Sequence, residues 1–268
     1  MTHSKCAAPV FLLVILLAAC GEPLATPEPV YLQAAGSTAM SPLVAELAAA
    51  FHEQSRTLHI EVTGLGTQFG LESLQAGQAD MAMASWLPPD LSGLRATAIA
   101  RDGIAVIVHP GNQVEGLGLL QLRDLFAGRV DTWEEVGGSV EQGQVQPVSR
   151  EEGSGTRAAF EALVMEGQRV TPLAVMVASS QAVVDYVAAH PSAIGYVSMG
   201  YVSPDVKAIR IEGELPTPQG AGRASYPLTH ELWLVTADPP AAAVQQFLNF
   251  AQSPAGQQIV GRRYGRIK

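Results

Sequence analysis

Strand-like and helix-like runs alternate from residue 30 to the C-terminus. A short apolar run at 30–35 ends at Gly36, an alternating stretch at 58–63 ends at Gly64, and an apolar run at 79–84 ends at Ser85. Residues 104–108 are continuously apolar and rich in β-branched side chains. Such runs, bounded by small residues, predict strands. Between the first two, Leu43, Leu47 and Phe51 recur every four residues and share one face of a helix. Pro42 suits its first turn, where an N–H has no partner to lose. Further on, 119–126 predicts a short helix, 128–138 a turn-rich connection, and 145–148 a strand leading through 153–156 into a helix ending near residue 164. QAVVDYVAA at 181–189 predicts an amphipathic helix, and 193–198 and 206–211 predict strands. After the Gly/Pro-rich stretch 212–222, 232–236 is apolar and strand-like, and 239–264 reads as two helices broken near Pro254. The alternation predicts an α/β architecture with no repeat of the solenoid kind.

Composition narrows the function. Of the 268 residues, 47% are hydrophobic, enough for a sizeable core, and the length permits one or two domains. A formal charge of −9 with no run of Lys or Arg excludes a broad nucleic-acid surface. Residues 1–19 stand apart: Lys5 gives a positive start, and VFLLVILLAA at 10–19 is too short for the ~20 apolar residues of a spanning helix. The run is therefore a signal segment. It ends in LAAC at 17–20, which resembles the bacterial lipobox, whose cysteine is acylated and becomes the new N-terminus. Cys20 is thus the expected lipid-anchor site, with 20–29 as anchor and flexible tether. Ordinary cleavage after Ala19, with Cys20 incidental, is the alternative. The other cysteine, Cys6, would leave with the signal segment, so no intramolecular disulfide is expected. Each buried lipid CH₂ contributes ~0.8 kcal/mol, and several acyl chains make a stable anchor. The expected location is the outer face of the cell membrane.

Three segments share one local grammar, in which a strand ends, a Gly/Ser/Thr turn follows and a helix begins. They are Gly36-Ser37-Thr38-Ala39, Gly64-Leu65-Gly66-Thr67 and Gly153-Ser154-Gly155-Thr156. Glycine permits a tight turn and close approach to a ligand, hydroxyls donate hydrogen bonds, and a helix start presents unpaired N–H groups with partial positive charge. Each end is a ready oxyanion site. One such turn is equally an ordinary helix cap; three of them, with Arg150 just before the third, favour a ligand. The planar guanidinium of Arg150 can hold two oxygens of a phosphate or sulfate. Glu151-Glu152 is either solvated or tunes Arg150. Competing signals are weaker. The six histidines have no metal-ligand spacing. Gly64, Gly66 and Gly70 miss the dinucleotide fingerprint, and Ser154 lacks a nucleophile elbow and triad partners. Neither a metal nor a cofactor is expected.

The chain resembles the phosphate-binding proteins that serve bacterial phosphate ABC transporters, within the type II periplasmic binding protein superfamily. VSREEGSGTRAAFE at 148–161 carries the resemblance most specifically. Supporting it, in the family's order, are AGSTAM at 35–40, DMAMAS at 80–85, DGIAVIV at 102–108, AIGYVSMGYV at 193–202 and SPAGQQIV at 253–260. The resemblance implies two mixed-sheet α/β lobes joined by a two-strand hinge: 30–109 plus 227–268, and 110–226, with crossings near Pro110 and Pro227. Carried over by position, the implied anion contacts are Thr38 and the Ala39 N–H, Thr67, Ser85, Arg150, Ser154, the Gly155 N–H and Thr156. Ser37, Trp86 and Arg157 are implied neighbours, although Arg157 is equally placed to pair with Glu161 at i+4.

Departures from the family pattern matter. Ser85 stands where some relatives have Asp, whose carboxylate accepts a phosphate proton and repels sulfate. Trp86 stands where others have Arg, and Gln68 and Phe69 replace small residues. The implied function is capture of inorganic phosphate by a monomeric receptor and its delivery to a membrane-embedded ABC permease, without covalent chemistry. Alternatives are a receptor for sulfate or another tetrahedral oxyanion, an anion-sensing module, and a phosphate-ester hydrolase.

Overall fold

The computed structural model describes residues 1–2 and 28–267. The signal segment from residue 3 on, Cys20 and the tether up to residue 27 lie outside the described residues, and with them the expected lipid anchor. No described helix is long and apolar enough to cross a membrane.

The first elements follow the predicted alternation: strand β1 (Val30–Gly36), helix α1 (Ser41–Gln54), β2 (Leu58–Gly64), α2 (Thr67–Gln75) and β3 (Met81–Ala84). The face of α1 bearing Leu43, Leu47 and Phe51 is buried, with Val44 and Ala48 added to it, and Pro42 occupies the first turn. Next come β4 (Leu94–Val108), β5 (Gly116–Leu117), α3 (Leu119–Phe126), β6 (Gln146–Arg150) and α4 (Gly155–Phe160), which runs on into a wider π-turn over Glu161–Met165. Then follow β7 (Val175–Val177), α5 (Ser180–Ala189), β8 (Ala193–Ser198) and the 3-10 turn Met199–Tyr201. The remainder comprises β9 (Lys207–Ala208), β10 (Arg210–Ile211), α6 (Pro218–Gly222), β11 (Thr229–Ala237), α7 (Ala242–Gln252) and α8 (Pro254–Val260).

Two expectations change. The strand expected at 104–108 is only the end of β4, whose earlier residues 94–103 alternate polar and apolar less regularly. The strand expected over 206–211 is two short pieces, because β9 pairs with β4 while β10 turns away to β5.

One mixed sheet runs in the order β2-β1-β3-β11-β4-β8-β6-β7. In its first half β1 is parallel to β2 and β3, and β11 lies antiparallel between β3 and β4. In its second half β8 is antiparallel to β4 and parallel to β6, which is parallel to β7. β4 belongs to both: residues 94–103 pair with β11, and Ile104–Val108 with β8. At that change of partner the returning chain lies alongside, since the Ile104 N–H donates to Leu228 O (2.8 Å) and Tyr226 OH to Ile104 O (2.8 Å).

Ile104–Val108 are fully buried because both faces of the strand are covered. Ile104, Val106 and Val108 pack in a core with Phe126, Phe160 and Tyr196. The alternate residues, Ala105 and Ile107, join a second core with Val183 and Val187 that extends to Leu47, Met81 and Phe247. Strand periodicity of two thus splits one apolar run between two cores.

Candidate functional site

The parallel strands of both halves end at one place, where the helices that follow them begin. At the first turn the chain leaves β1 through Gly36, whose φ of 137° excludes most side chains. A Cβ there would overlap Met83 O. The Ser37 N–H donates to Met83 O (2.8 Å), which fixes the turn to β3. At the second turn the Leu65 and Gly66 N–H groups both donate to Gly36 O (2.9 Å each), so the two turns are tied back to back. Ser85, at the end of β3, completes this side. Its N–H donates to Thr67 Oγ1 (3.2 Å), and its hydroxyl is 2.6 Å from Ser37 Oγ. Ser37, Ala39, Thr67 and Ser85 are all at most 2% exposed.

The second half contributes the third turn. β6 ends at Arg150, Gly153 takes a φ of 84°, and Ser154 caps α4 by accepting from the Arg157 N–H (3.3 Å). Gly155 lies directly on the first half: a Cβ would overlap Thr67 Oγ1 and come within 2.9 Å of Ser85 Cβ. The Gln68 N–H donates to Gly153 O (3.2 Å) beside it. Glycine is required here because two helix starts meet.

Arg150 is 1% exposed and joins both halves. Nη1 donates to Ser180 Oγ (3.2 Å), and Nη2 donates to Thr38 Oγ1 (3.3 Å) and to Ala178 O (3.4 Å). The Thr38 and Ser180 hydroxyls are 3.4 Å apart. Nε and Nη2 also donate to the two carboxylate oxygens of Glu151 (3.0 and 2.8 Å). A buried cation is costly unless paired, and Glu151, whose side chain is 35% exposed, supplies the counter-charge from the solvent side.

The structure therefore brings together Ser37, Thr38, Ala39, Thr67, Ser85, Arg150, Ser154 and Gly155. Thr156 is buried one residue further on, at the start of α4. Arg157 faces away: its Nε donates to Glu161 (2.8 Å) and its Nη1 to Arg150 O (2.9 Å), so it braces the turn from behind. Trp86 follows Ser85 and is 39% exposed. Sequence reasoning missed Ser180. Its signal was present, because Ser179-Ser180 precedes the α5 pattern in the same strand–turn–helix grammar, but β7 is only three residues long. Ser179 is the cap, accepting from the Ala182 N–H (3.0 Å), which leaves the Ser180 hydroxyl for the site.

Chemically, the arrangement concentrates donors. The starts of α1, α2, α4 and α5 carry N–H groups without intrahelical acceptors and add partial positive charge. Hydroxyls surround one fixed guanidinium, and the neighbouring carboxylate is spent on that guanidinium. A small oxyanion is the species such a site stabilises.

A mixed sheet shared by two α/β halves, with helix starts from both meeting over a buried arginine, defines a type II periplasmic-type binding protein. The chain belongs to the PBP superfamily domain family, whose model matches residues 24–255. It is similar to the phosphate-binding protein PstS of Bacillus subtilis, with 27% identity over 238 residues, 87% of this chain and 78% of that one. Among solved structures, it is similar to a Clostridium perfringens substrate-binding protein of the phosphate ABC transporter type with bound phosphate. That likeness has a TM-score of 0.85 and 30% identity over 89% of this chain and 100% of that one. An ABC-type phosphate transport receptor from Vibrio cholerae gives a TM-score of 0.72 and 28% identity, covering 87% and 99%.

Proposed function

We propose that this protein captures inorganic phosphate between its two halves and hands it to a membrane-embedded ABC permease. One lobe is residues 30–109 with 227–268 and the other is 110–226, with the end of β4, Ile104–Val108, crossing over to pair with β8 of the second. The protein works as a monomer outside the cell membrane, held there by a lipid at Cys20. The observation that carries the reading is Arg150, buried and donating to Thr38 on one side of the cleft and to Ser180 on the other. The anion would take the donors of Thr38, Ala39, Thr67, Ser85, Arg150, Ser154, Gly155 and Thr156, with Ser180 added to the set. Ser37 and Trp86 border it.

Charge-assisted hydrogen bonds contribute ~1.5–3 kcal/mol each after desolvation, so a few of them reach the about −8 kcal/mol of a micromolar complex. The net charge of −9 opposes approach, but at physiological salt charges beyond ~8 Å are screened and the local donors decide. In this reading no covalent step is needed, and the bound anion is held rather than transformed.

Two relatives named above, those from Bacillus subtilis and Vibrio cholerae, are called a phosphate-binding protein and a phosphate transport receptor. Their function supports phosphate over sulfate even though Ser85 cannot repel an unprotonated anion as a carboxylate would. The test is titration calorimetry with phosphate and sulfate, together with identification of the anion that co-purifies. Micromolar or tighter phosphate binding, with sulfate at least tenfold weaker, is the expected outcome. Equal affinities would make the protein a general tetrahedral-oxyanion receptor, and no binding of either would end the reading.

A further inference from the structure

Behind the anion site, where β4 changes partner, a carboxylic acid and an imidazole face each other without a hydrogen bond. Asp102 is 0% exposed and sits directly opposite His230 in the β4–β11 ladder. Its Oδ1 accepts from the Met199 N–H (3.1 Å), and the Ser198 hydroxyl and Gly103 N–H also bond to the carboxyl group. Its Oδ2 is buried with no partner and lies 4.0 Å from His230 Nε2; both ring nitrogens of His230 are likewise buried and unpartnered.

Among the described residues no Lys or Arg pairs with Asp102; Arg263 acts on the neighbouring Tyr264 instead. Tyr226 and Tyr264 are the other titratable groups near Asp102, and burial holds both phenols protonated. Helices α6, α7 and α8, which pack on β4, carry no titratable side chain. Asp185 of α5 is bonded to Gln181 at the surface. Arg101 and Glu231, the next pair along the ladder, turn outward, with Arg101 Nη1 donating to Gly222 O (2.8 Å).

Asp102 also has a short path to the ligand. It anchors the first N–H of the Met199–Tyr201 turn, and at the far end of that turn Tyr201 OH donates to Thr38 O (2.7 Å). Beside it, Tyr264 OH donates to Ala39 O (3.3 Å) and packs against Gly200. Thus the turn held by Asp102 holds the backbone of the anion-binding turn.

We infer that Asp102 is a positioning residue for the anion-binding turn, and that it works as the neutral acid with its Oδ2 hydrogen directed at His230 Nε2. This inference rests on the phosphate reading only for its binding arm. An ionised Oδ2 would be a buried charge with no donor, whereas a proton on Oδ2 removes that charge and faces His230 Nε2 across a 4.0 Å gap, wider than a hydrogen bond. Burial favours the same state, raising the Asp102 carboxyl from 3.8 to about 7 and lowering His230 from 6.5 to about 4.

The sign of the pH effect follows from linkage. The folded chain holds the Asp102 proton where the unfolded chain has lost it, so this group's stabilisation is complete below about pH 4 and is lost as pH rises to about 7. His230 acts oppositely, because its unfolded form binds a proton that the folded form refuses; its penalty grows as pH falls from 6.5 to about 4. In the native sequence the two terms offset over most of that range, and single variants expose them.

The experiment measures Tm between pH 4.5 and 8 for the wild type, Asp102→Asn and His230→Gln, and phosphate Kd at pH 6 with Asp102→Ala and Tyr201→Phe added. Relative to wild type, the Tm of Asp102→Asn should rise by up to about 3 °C per pH unit below pH 7 and then level off; that of His230→Gln should fall toward pH 6.5. Asp102→Ala should weaken phosphate binding at least tenfold, Tyr201→Phe about fivefold, and Asp102→Asn should restore binding to within about threefold of wild type. A flat Tm difference for Asp102→Asn would show an ionised carboxylate and overturn the inference. So would Asp102→Asn binding as poorly as a folded Asp102→Ala, or Asp102→Ala binding normally. If Asp102→Ala does not fold, Asp102→Asn and Tyr201→Phe decide. If the wild type binds no phosphate, the functional reading fails while the Tm arms still decide where the proton sits.

Discussion

The two halves of the molecule build their sides of the site by different means. The first half contributes neutral donors on a rigid frame: Gly36 O accepts from both Leu65 and Gly66, and Ser37 and Ser85 are joined by their hydroxyls. The second half contributes the charge, one guanidinium compensated by the adjacent carboxylate of Glu151. A frame of amides and hydroxyls can bind an oxyanion without favouring the ionised form of anything else. A single fixed cation then adds attraction without making the whole surface basic, which reconciles an anion site with a chain of net charge −9. The contrast predicts that changes to the charged side cost more binding than equal changes to the neutral side.

The largest effect tests that asymmetry directly. Arg150→Ala removes the charge and both donors to Thr38 and Ser180, and should weaken phosphate binding by roughly 3 kcal/mol, more than a hundredfold in Kd. Glu151 is open enough to be solvated once freed, so the fold should persist. Arg150→Lys should recover only part of the loss, because an ammonium cannot span Thr38, Ser180 and the Glu151 carboxylate at once. Calorimetry with circular dichroism as a fold control checks both variants. If Arg150→Ala binds as tightly as the wild type, the charge is not what holds the anion and the comparison between halves collapses.

Next in size is the contact between the halves. Gly155→Ala would place a Cβ on Thr67 Oγ1 and against Ser85. That clash exists only while the halves touch. If the halves part when no ligand is bound, the ligand-free protein should keep its Tm while phosphate affinity falls by roughly tenfold or more. A drop in Tm with unchanged affinity would instead make Gly155 a packing residue within one half, and the two sides would no longer be separable.

How much of this was legible in the residues follows the same divide. The neutral frame was partly readable: glycine followed by hydroxyl residues at a helix start has a local signature, and Ser37, Thr38 and Thr67 fall where the strand–turn–helix pattern puts them, while Ser85 was implied only by the family resemblance. Arg150 was readable for the same reason, standing at the end of a strand before the third turn. Ser180 was not, because β7 has three residues and too little periodicity to reveal the strand before it. The role of Glu151 stayed open for a different reason, since whether a surface carboxylate turns inward depends on side-chain geometry rather than spacing. The first ten residues of β4 were missed because their pattern of exposure follows β11, a strand more than a hundred residues away in the chain. Long-range pairing leaves only a weak trace in a local window.

The smallest effect separates a donor from a spectator. Ser180→Ala deletes one neutral hydroxyl that lies 3.2 Å from Arg150 Nη1 and 3.4 Å from Thr38 Oγ1. If Ser180 only steadies Arg150, the guanidinium remains held by Glu151 and Ala178 O, and phosphate affinity should change by less than about twofold. If Ser180 also donates to the anion, about 1 kcal/mol is lost, roughly fivefold in Kd. The fivefold loss is the expected result, because the hydroxyl stands between the two groups that bind and its helix supplies a separate cap in Ser179. Combining Ser180→Ala with Arg150→Ala sharpens the outcome. If the two losses add, Ser180 contacts the anion by itself; if the double variant is no weaker than Arg150→Ala alone, its whole effect runs through the guanidinium.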